Sequence, residues 1–149
     1  MVSDIEIIIR IVIIIILSGL IGLERERRQK PAGLRTNILV GLGSTVITLV
    51  ALNVLISFNP SGTVDIGRII GQIITGIGFL GAGAIIQARG AIHGLTTAAT
   101  IWVVSAIGIS VGIGYYYTAI IATLATLIVL FILGRVEQKQ EIKEKDINE

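Results

Sequence analysis

A long apolar segment ends at Leu23, and a short charged segment follows it directly before a second apolar segment begins. The charged segment, Glu24 to Thr36, reads ERERRQKPAGLRT and contains five basic residues in thirteen positions. Basic residues between two apolar helices are typical of loops on the cytoplasmic side of a membrane. The segment therefore predicts a hairpin of two membrane-spanning helices and fixes the direction in which the rest of the chain crosses.

The composition also indicates a membrane protein. Apolar residues form 53% of the 149 residues and charged residues 15%, whereas soluble domains carry about 25% charged residues. The net charge of +2 does not indicate nucleic-acid binding, because the basic residues lie at the ends of apolar segments. The absence of cysteine excludes disulfides, cysteine-ligated metals and a thiol nucleophile.

The apolar segments predict five spans, since a helix needs about 20 apolar residues to cross the hydrocarbon core. The predicted fold is an all-α polytopic membrane helix bundle at residues 1–136, followed by a charged cytoplasmic tail at 137–149. The first four spans are predicted at Asp4–Leu23, Asn37–Ser57, Ile66–Gln87 and Thr96–Gly114, and the fifth follows an aromatic anchor at Tyr115–Tyr117 and ends at Gly134.

The distribution of basic residues predicts the orientation. With the N-terminus outside, ten of the twelve lysines and arginines lie on the cytoplasmic side. The other two, Arg10 and Arg68, lie near the outer ends of the first and third spans. Enrichment of Lys and Arg in cytoplasmic loops is the usual pattern in membrane proteins. We therefore expect the C-terminus in the cytoplasm.

The third predicted span is rich in small residues, which let helix backbones approach closely in lipid. We therefore expect this span at the centre of the bundle, surrounded by other helices. The fourth span carries a similar stripe at Ser105, Gly108 and Gly112. In the third span, one stripe consists of Gly67, Gly71, Thr75, Gly78 and Ala82, and another face carries Gly76 and Gly83.

Polar residues also fall on one face of the third span, at Arg68, Gln72 and Thr75. An ionisable residue within a span is a functional candidate by default. The stripe indicates a buried polar pathway or a network that joins helices, and the alternative for Arg68 is a local pair with Asp65. Arg10 has a similar local partner in Glu6, four residues earlier, and we expect that pair to be structural.

Enzyme chemistry is not expected, because the spans contain no paired carboxylates. No cofactor is predicted except Mg²⁺, which prefers oxygen ligands and keeps much of its water. A Mg²⁺ path would have to use hydrated ions, carbonyls at glycine breaks, Gln72 and Thr75. The match to a dinucleotide motif at Gly76–Gly81 lies within a predicted helix, without the strand and the acidic residue that such a site needs.

Three blocks carry a resemblance to a known family. They read GLIGLERERRQKPAGLRTNILVGLGS at Gly19–Ser44, RIIGQIITGIGFLGAGAII at Arg68–Ile86 and HGLTTAATIWVVSAIGISVGIG at His93–Gly114. In this order and spacing they resemble the MgtC/SapB family of bacterial and archaeal membrane proteins. The resemblance implies a multi-pass protein of the plasma (inner) membrane. Members are linked to growth at low magnesium and, in pathogens, to survival inside host phagocytes.

The resemblance also implies candidate site residues. Thr96, Thr97 and Thr100 open the fourth span and are candidates, although some members have Asn at the position of Thr96, so roles tied to that side chain in the family are not carried over. Threonines at a helix start also have a local explanation, since their hydroxyls can bond to their own helix. The matching residues are Glu24, Arg25, Pro31, Gly33, Leu34, Arg35 and Thr36; then Gly76, Gly78, Phe79, Gly81 and Gly83; then Gly94, Leu95, Thr97, Ala98, Ala99, Thr100 and Trp102.

Two functions stay open. The first is a non-enzymatic regulator, linked to magnesium limitation and membrane homeostasis, that binds integral membrane proteins through Glu24–Thr36 and Arg89–Thr100; the resemblance implies ATP synthase as one partner. The second is a transporter or channel for Mg²⁺ or an anion. We also expect contacts with membrane lipids and a homo-oligomer. Many members continue into a soluble C-terminal domain, and we expect this chain to be a short form without it.

Overall fold

The computed structural model describes residues 2–58, 65–88 and 91–147, and this part of the chain folds into five helices and one short β-hairpin. The predicted all-α class is therefore confirmed. The helices are α1 (Asp4–Arg27), α2 (Leu34–Phe58), α3 (Ile66–Gly83), α4 (Leu95–Ile113) and α5 (Tyr116–Ile147), and the hairpin between α3 and α4 consists of β1 (Ile86–Ala88) and β2 (Ala91–His93).

Four of these helices, α1 to α4, are long and apolar enough to cross a membrane. The apolar part of α5, Tyr116–Ile132, has 17 residues. At 1.5 Å per residue this part is about 26 Å long, against a hydrocarbon core of about 30 Å. The helical backbone of α5 continues without a break through the charged sequence to Ile147.

The third span is shorter than predicted. α3 ends at Gly83 instead of Gln87. The segment between α3 and α4 contains a hairpin in which Ile86 pairs with His93. The prediction was wrong because it counted hydropathy, which cannot separate a helix end from an apolar strand. The β-branched residues Ile86 and Ile92 favour extended backbone.

α4 lies at the centre of the bundle, where it packs against the other four helices and buries ten of its 19 residues. The small residues of the third span predicted α3 at the centre instead, and within a single chain this prediction was wrong. In α3 only Ile73 and Gly81 are buried. A Cβ built at Gly71, Gly76, Gly78 or Gly83 would meet nothing within 4 Å. Small residues indicate a capacity for close approach, but they do not say whether the approaching helix belongs to the same chain.

The closest helix contact joins α2 to α4. A Cβ added at Gly108 would lie 2.6 Å from the carbonyl oxygen of Gly41, so the two backbones touch. The hydroxyls of Ser44 and Ser105 are 2.8 Å apart, and Thr45 donates a hydrogen bond of 2.9 Å to the carbonyl of Gly108. Interhelical hydrogen bonds of this kind stabilise helix pairs in membranes.

Arg10 joins the start of α1 to the end of α4. Its side chain is 6% exposed, and the predicted ion pair with Glu6 is present. The other arm of the guanidinium donates a hydrogen bond of 2.5 Å to the carbonyl of Gly112. A cation is favourable there because the carbonyls at a helix C-terminus carry partial negative charge.

Candidate functional site at the first loop

The first loop is built by local hydrogen bonds between the end of α1 and the start of α2. Gln29 and Ala32 adopt positive φ angles of 53° and 56°, which turn the chain back on itself. Glu26 Oε2 accepts a hydrogen bond of 2.7 Å from the backbone N–H of Leu34 and so caps α2. A Cβ on Gly33 would lie 2.9 Å from the same oxygen and 3.3 Å from the Cβ of Glu26, so a side chain there would press on this capping residue.

Asn37 fixes the loop from inside the bundle. The residue is fully buried, and its side-chain amide donates to the carbonyls of Ala32 at 2.6 Å and Gly33 at 2.9 Å. Neither Glu26 nor Asn37 was predicted from the sequence. A signal was available for Asn37, since an amide in the first turn of a helix is typical of residues that bond to nearby backbone. Glu26 lies in α1, eight residues before its partner Leu34, and carries no such local signal.

Glu24 forms the buried ionic centre of the site. Its side chain is 3% exposed and its Oε1 lies 2.6 Å from Arg28 Nε, while Arg25 Nη1 is 3.6 Å from Oε2. Neither carboxylate oxygen accepts a hydrogen bond from the described residues, so the attraction is electrostatic. Arg89, at the other predicted cytoplasmic segment, lies outside the described residues. Arg28 was not singled out from the sequence, because an arginine beside four other basic residues carries no distinguishing signal.

Arg28 also connects the first loop to α5. Its Nη2 donates to the carbonyl of Phe131 at 3.4 Å, and its guanidinium lies 5.6 Å from the centre of the Phe131 ring. A Cβ on Gly134 would collide with Nη1 of Arg28. The end of α1 is therefore held against α5 by one arginine, which pairs with Glu24 on one side and contacts an aromatic ring on the other.

The start of α4 faces the same loop. Gly94 adopts a φ angle of 90° and lies so close to the carbonyl oxygen of Ala84 that any Cβ would collide with it. Thr97 and Thr100 are buried, and the Thr100 hydroxyl donates to the carbonyl of Thr96 at 2.7 Å. Thr100 thus bonds to its own helix. Trp102, by contrast, is 50% exposed on the outside of the bundle.

A cavity of about 860 Å³ lies between four parts of the chain, which are the first loop, the hairpin, the start of α4 and the end of the apolar part of α5. We name it the basic pocket, after the cationic side chains of Arg25, Arg28 and Lys30 in its wall. It brings together seven of the residues named from the sequence, which are Arg25, Pro31, Gly94, Leu95, Thr96, Thr97 and Ala99.

The remaining predicted residues lie elsewhere. A second, largely apolar groove of about 580 Å³ between α2 and α3 is lined by Thr36, Gln72 and Gly76. Gly81 contacts α4, with its Cβ position 3.7 Å from the Cβ of Ala98. The other predicted residues, Arg35, Arg68, Thr75 and Gly78, are exposed on α2 or α3. The structure thus does not gather the predicted residues into one site.

The polar stripe of α3 does not face the interior of the chain. Arg68, Gln72 and Thr75 are all exposed, and the Thr75 hydroxyl donates to the carbonyl of Gly71 at 2.9 Å in its own helix. Asp65 Oδ1 accepts from the N–H of Gly67 at 2.8 Å and caps α3. Its suggested ion pair with Arg68 is not among the ion pairs within 4 Å of the described residues.

The fold and the loop define a multi-pass helical membrane protein whose first loop is built around a buried carboxylate. The sequence profile of the MgtC family matches residues 11–139, and the chain belongs to this family. A protein of Escherichia coli K12, YhiD, whose name describes it as a candidate magnesium transporter, is 44% identical over 84% of this chain and 59% of its own length.

Two further relatives carry the family names. Protein MgtC of Salmonella typhimurium LT2 is 39% identical over 89% of this chain and 54% of its own length. Protein SapB of Bacillus subtilis 168 is 37% identical over 97% of this chain and 65% of its own length. The chain thus spans between 54% and 65% of the length of these three relatives. No solved structure matches the chain significantly.

Proposed function

We propose that this protein is a non-enzymatic regulator in the inner membrane that acts, under magnesium limitation, by binding another integral membrane protein through α3. The observation that carries the proposal is the exposed surface of α3, on which small residues and polar side chains lie together. The proposed orientation keeps the N-terminus outside and the first loop in the cytoplasm. The apolar part of α5 makes the fifth crossing, and residues 137–149 form the cytoplasmic tail.

The exposed glycines of α3 are suited to contact with a transmembrane helix. Gly76 and Gly78 lie on opposite sides of α3, and a Cβ built at either position has nothing within 4 Å, so a neighbouring backbone can approach the helix closely on each side. In lipid, such close van der Waals contact and interhelical hydrogen bonds drive helix association. Glycine also costs about 1 kcal/mol of helix propensity relative to alanine in a soluble host. Exposed glycines that only met lipid would carry that cost without any packing benefit.

The polar side chains of the same helix favour a protein partner over lipid. Arg68 and Gln72 are exposed at the outer half of α3, and polar groups in the hydrocarbon region are stable mainly when they are bonded to protein or water. We therefore propose a partner helix with an acidic or amide side chain near the level of Arg68. A second copy of this chain is the other occupant to be tested.

The alternative function is Mg²⁺ transport, which the name of the Escherichia coli relative favours. The groove between α2 and α3 is the corresponding path, but its walls are mostly apolar, with Ser44 and Gln72 among the few polar residues. The buried carboxylate Glu24 lies against two arginines, Arg25 and Arg28. Hydrated Mg²⁺ prefers oxygen ligands and carboxylates, so this arrangement gives less support to transport than to regulation.

Growth at low magnesium tests the proposal when it is combined with a flux assay. Gly76→Leu and Gly78→Leu should abolish complementation in a strain that lacks this gene, although both variants insert and fold. Ala125→Leu is the matched control, because Ala125 is exposed and lies seven residues before the end of its apolar segment, as Gly76 does in α3. The purified protein should pass no Mg²⁺ in proteoliposomes. Mg²⁺ flux that is lost in Gln72→Ala would favour the transporter.

A further inference from the structure

We infer that the basic pocket binds the phosphate group of an anionic phospholipid at the cytoplasmic face of the bundle. Its walls include Arg28, Lys30 and His93, and none of the described residues that line it is acidic. Basic pockets between transmembrane helices on the cytoplasmic side are suited to anionic lipid head groups. This inference takes the cytoplasmic position of the first loop from the proposed orientation, but it does not depend on a partner at α3, because no residue of α3 lines the pocket.

The pocket is partly preformed, because one of its cationic side chains is held in place by other contacts and another is exposed to solvent. Arg28 is 17% exposed and is held between Glu24 and the carbonyl of Phe131. Its guanidinium therefore does not have to be ordered when an anion arrives. Lys30 is exposed at the rim, where it adds charge at a small structural cost. Glu24 offsets part of the charge of the Arg28 guanidinium, and the exposed ammonium of Lys30 adds net positive charge. Together they suit a phosphate group, which accepts several charge-assisted hydrogen bonds.

The first turn of α4 supplies further donors. Its N-cap is Gly94, which has no side chain and makes no capping hydrogen bond. The first N–H groups of a helix have no intrahelical partner, and they attract anions because of the helix dipole. Leu95 and Thr96, the first two residues of α4, line the pocket. The helix start and the basic side chains thus favour the same sign of charge in one cavity.

The apolar walls distinguish a lipid from free phosphate. Val129 and Leu130 of α5 and Ala99 of α4 line the pocket beside the basic residues. An acyl chain can lie against such a surface, whereas inorganic phosphate gains nothing from it. The shared chemistry of the two ligands is the phosphate group, and the apolar surface assigns the site to phospholipid.

Native mass spectrometry of the purified full chain tests the assignment with phosphatidylglycerol, phosphatidylcholine and inorganic phosphate as probes. We expect phosphatidylglycerol to bind in preference to phosphatidylcholine. Lys30→Gln should weaken its binding about fivefold, the effect of one surface charge near an anionic lipid. Thr96→Asp should weaken it as well, and because an acid is favourable in a first helical turn the fold should be retained. Arg27→Gln is the control, since Arg27 is exposed at the same loop and lies outside the pocket.

The outcomes distinguish a phospholipid from free phosphate and from a general effect of surface charge. Preferential binding of phosphatidylglycerol, lost in Lys30→Gln and Thr96→Asp but kept in Arg27→Gln, supports the lipid site. Binding of inorganic phosphate with the same variant pattern, without any preference for phosphatidylglycerol, would overturn the lipid and assign free phosphate. Equal losses in Lys30→Gln and Arg27→Gln would overturn the pocket itself, because the attraction would then be a general effect of surface charge.

Discussion

Glu24 and Arg28, one turn apart at the end of α1, form an ion pair with 2.6 Å between Oε1 and Nε, and the Glu24 side chain is 3% exposed. Arg28 extends from this pair to the carbonyl and ring of Phe131 in α5. The pair therefore connects the helix that starts the bundle to the helix that ends it. A charge pattern that indicates membrane orientation in the sequence also has an architectural role in the fold.

Glu24→Gln should destabilise the protein strongly. Removing one partner from a buried ion pair costs about 3–5 kcal/mol, because the other charge stays buried without compensation. Thermal unfolding in detergent measures the loss, and Asp4→Asn is the control, since Asp4 is an exposed acid in the first turn of the same helix. If both variants unfolded at the wild-type temperature, the ionic centre would have no structural role.

Gly108→Ala should weaken the contact between α2 and α4. Its Cβ would lie 2.6 Å from the carbonyl oxygen of Gly41 and 2.9 Å from the Cβ of Ser44. Overpacking of this kind costs about 1–3 kcal/mol. Gly43→Ala is the matched control, because nothing lies within 4 Å of its Cβ position, and it should be neutral or slightly stabilising. A Gly108→Ala protein as stable as Gly43→Ala would contradict the close approach of these helices.

Arg10 should be coupled energetically to Glu6. Arg10→Gln loses the ion pair and the hydrogen bond to Gly112, and hydrogen bonds to charged groups contribute about 1.5–3 kcal/mol. A double-mutant cycle with Glu6→Gln should show a coupling of about 0.5–3 kcal/mol, the usual range for residues in contact. Strictly additive losses in the two single variants would show that the pair contributes nothing.

The orientation can be mapped with single cysteines, since the chain has none of its own. Lys30→Cys in the first loop and Tyr117→Cys at the start of α5 are suitable positions, because both residues are exposed. In intact cells, a membrane-impermeant thiol reagent should label Tyr117→Cys and should label Lys30→Cys only after permeabilisation. The reverse pattern would place the first loop outside and overturn the proposed orientation.

Sequence reasoning predicted the helices better than their arrangement. The hydropathy pattern located α1, α2 and α4 within a few residues, because apolar length follows from membrane thickness. It did not locate α3 at the edge of the bundle, since the small residues Gly71 and Gly78 specify close approach but no particular neighbour. Hydropathy also extended α3 into a strand whose apolar residues look the same as those of a helix.

The candidate site was predicted only in part. The family motif includes Glu24, Gly33 and Gly94, whose contacts in the structure are ionic or close in space. It did not single out Asn37, although the bonds of this residue to the carbonyls of Ala32 and Gly33 are local in sequence. It also did not single out Arg28, whose role depends on contacts with α5. Such contacts join residues by tertiary geometry, and no local spacing in the sequence encodes them.

Site-specific photo-crosslinking in native membranes tests the central claim that α3 binds another membrane protein. A benzophenone amino acid replaces Phe79, which is 81% exposed on α3, or Ile128, which is 58% exposed on α5; each lies four residues before the end of its apolar segment. We predict an adduct with a different integral membrane protein from position 79 and none from position 128. An adduct of twice the mass of the chain would identify a second copy instead. Equal adducts at both positions, or none at position 79, would contradict the account.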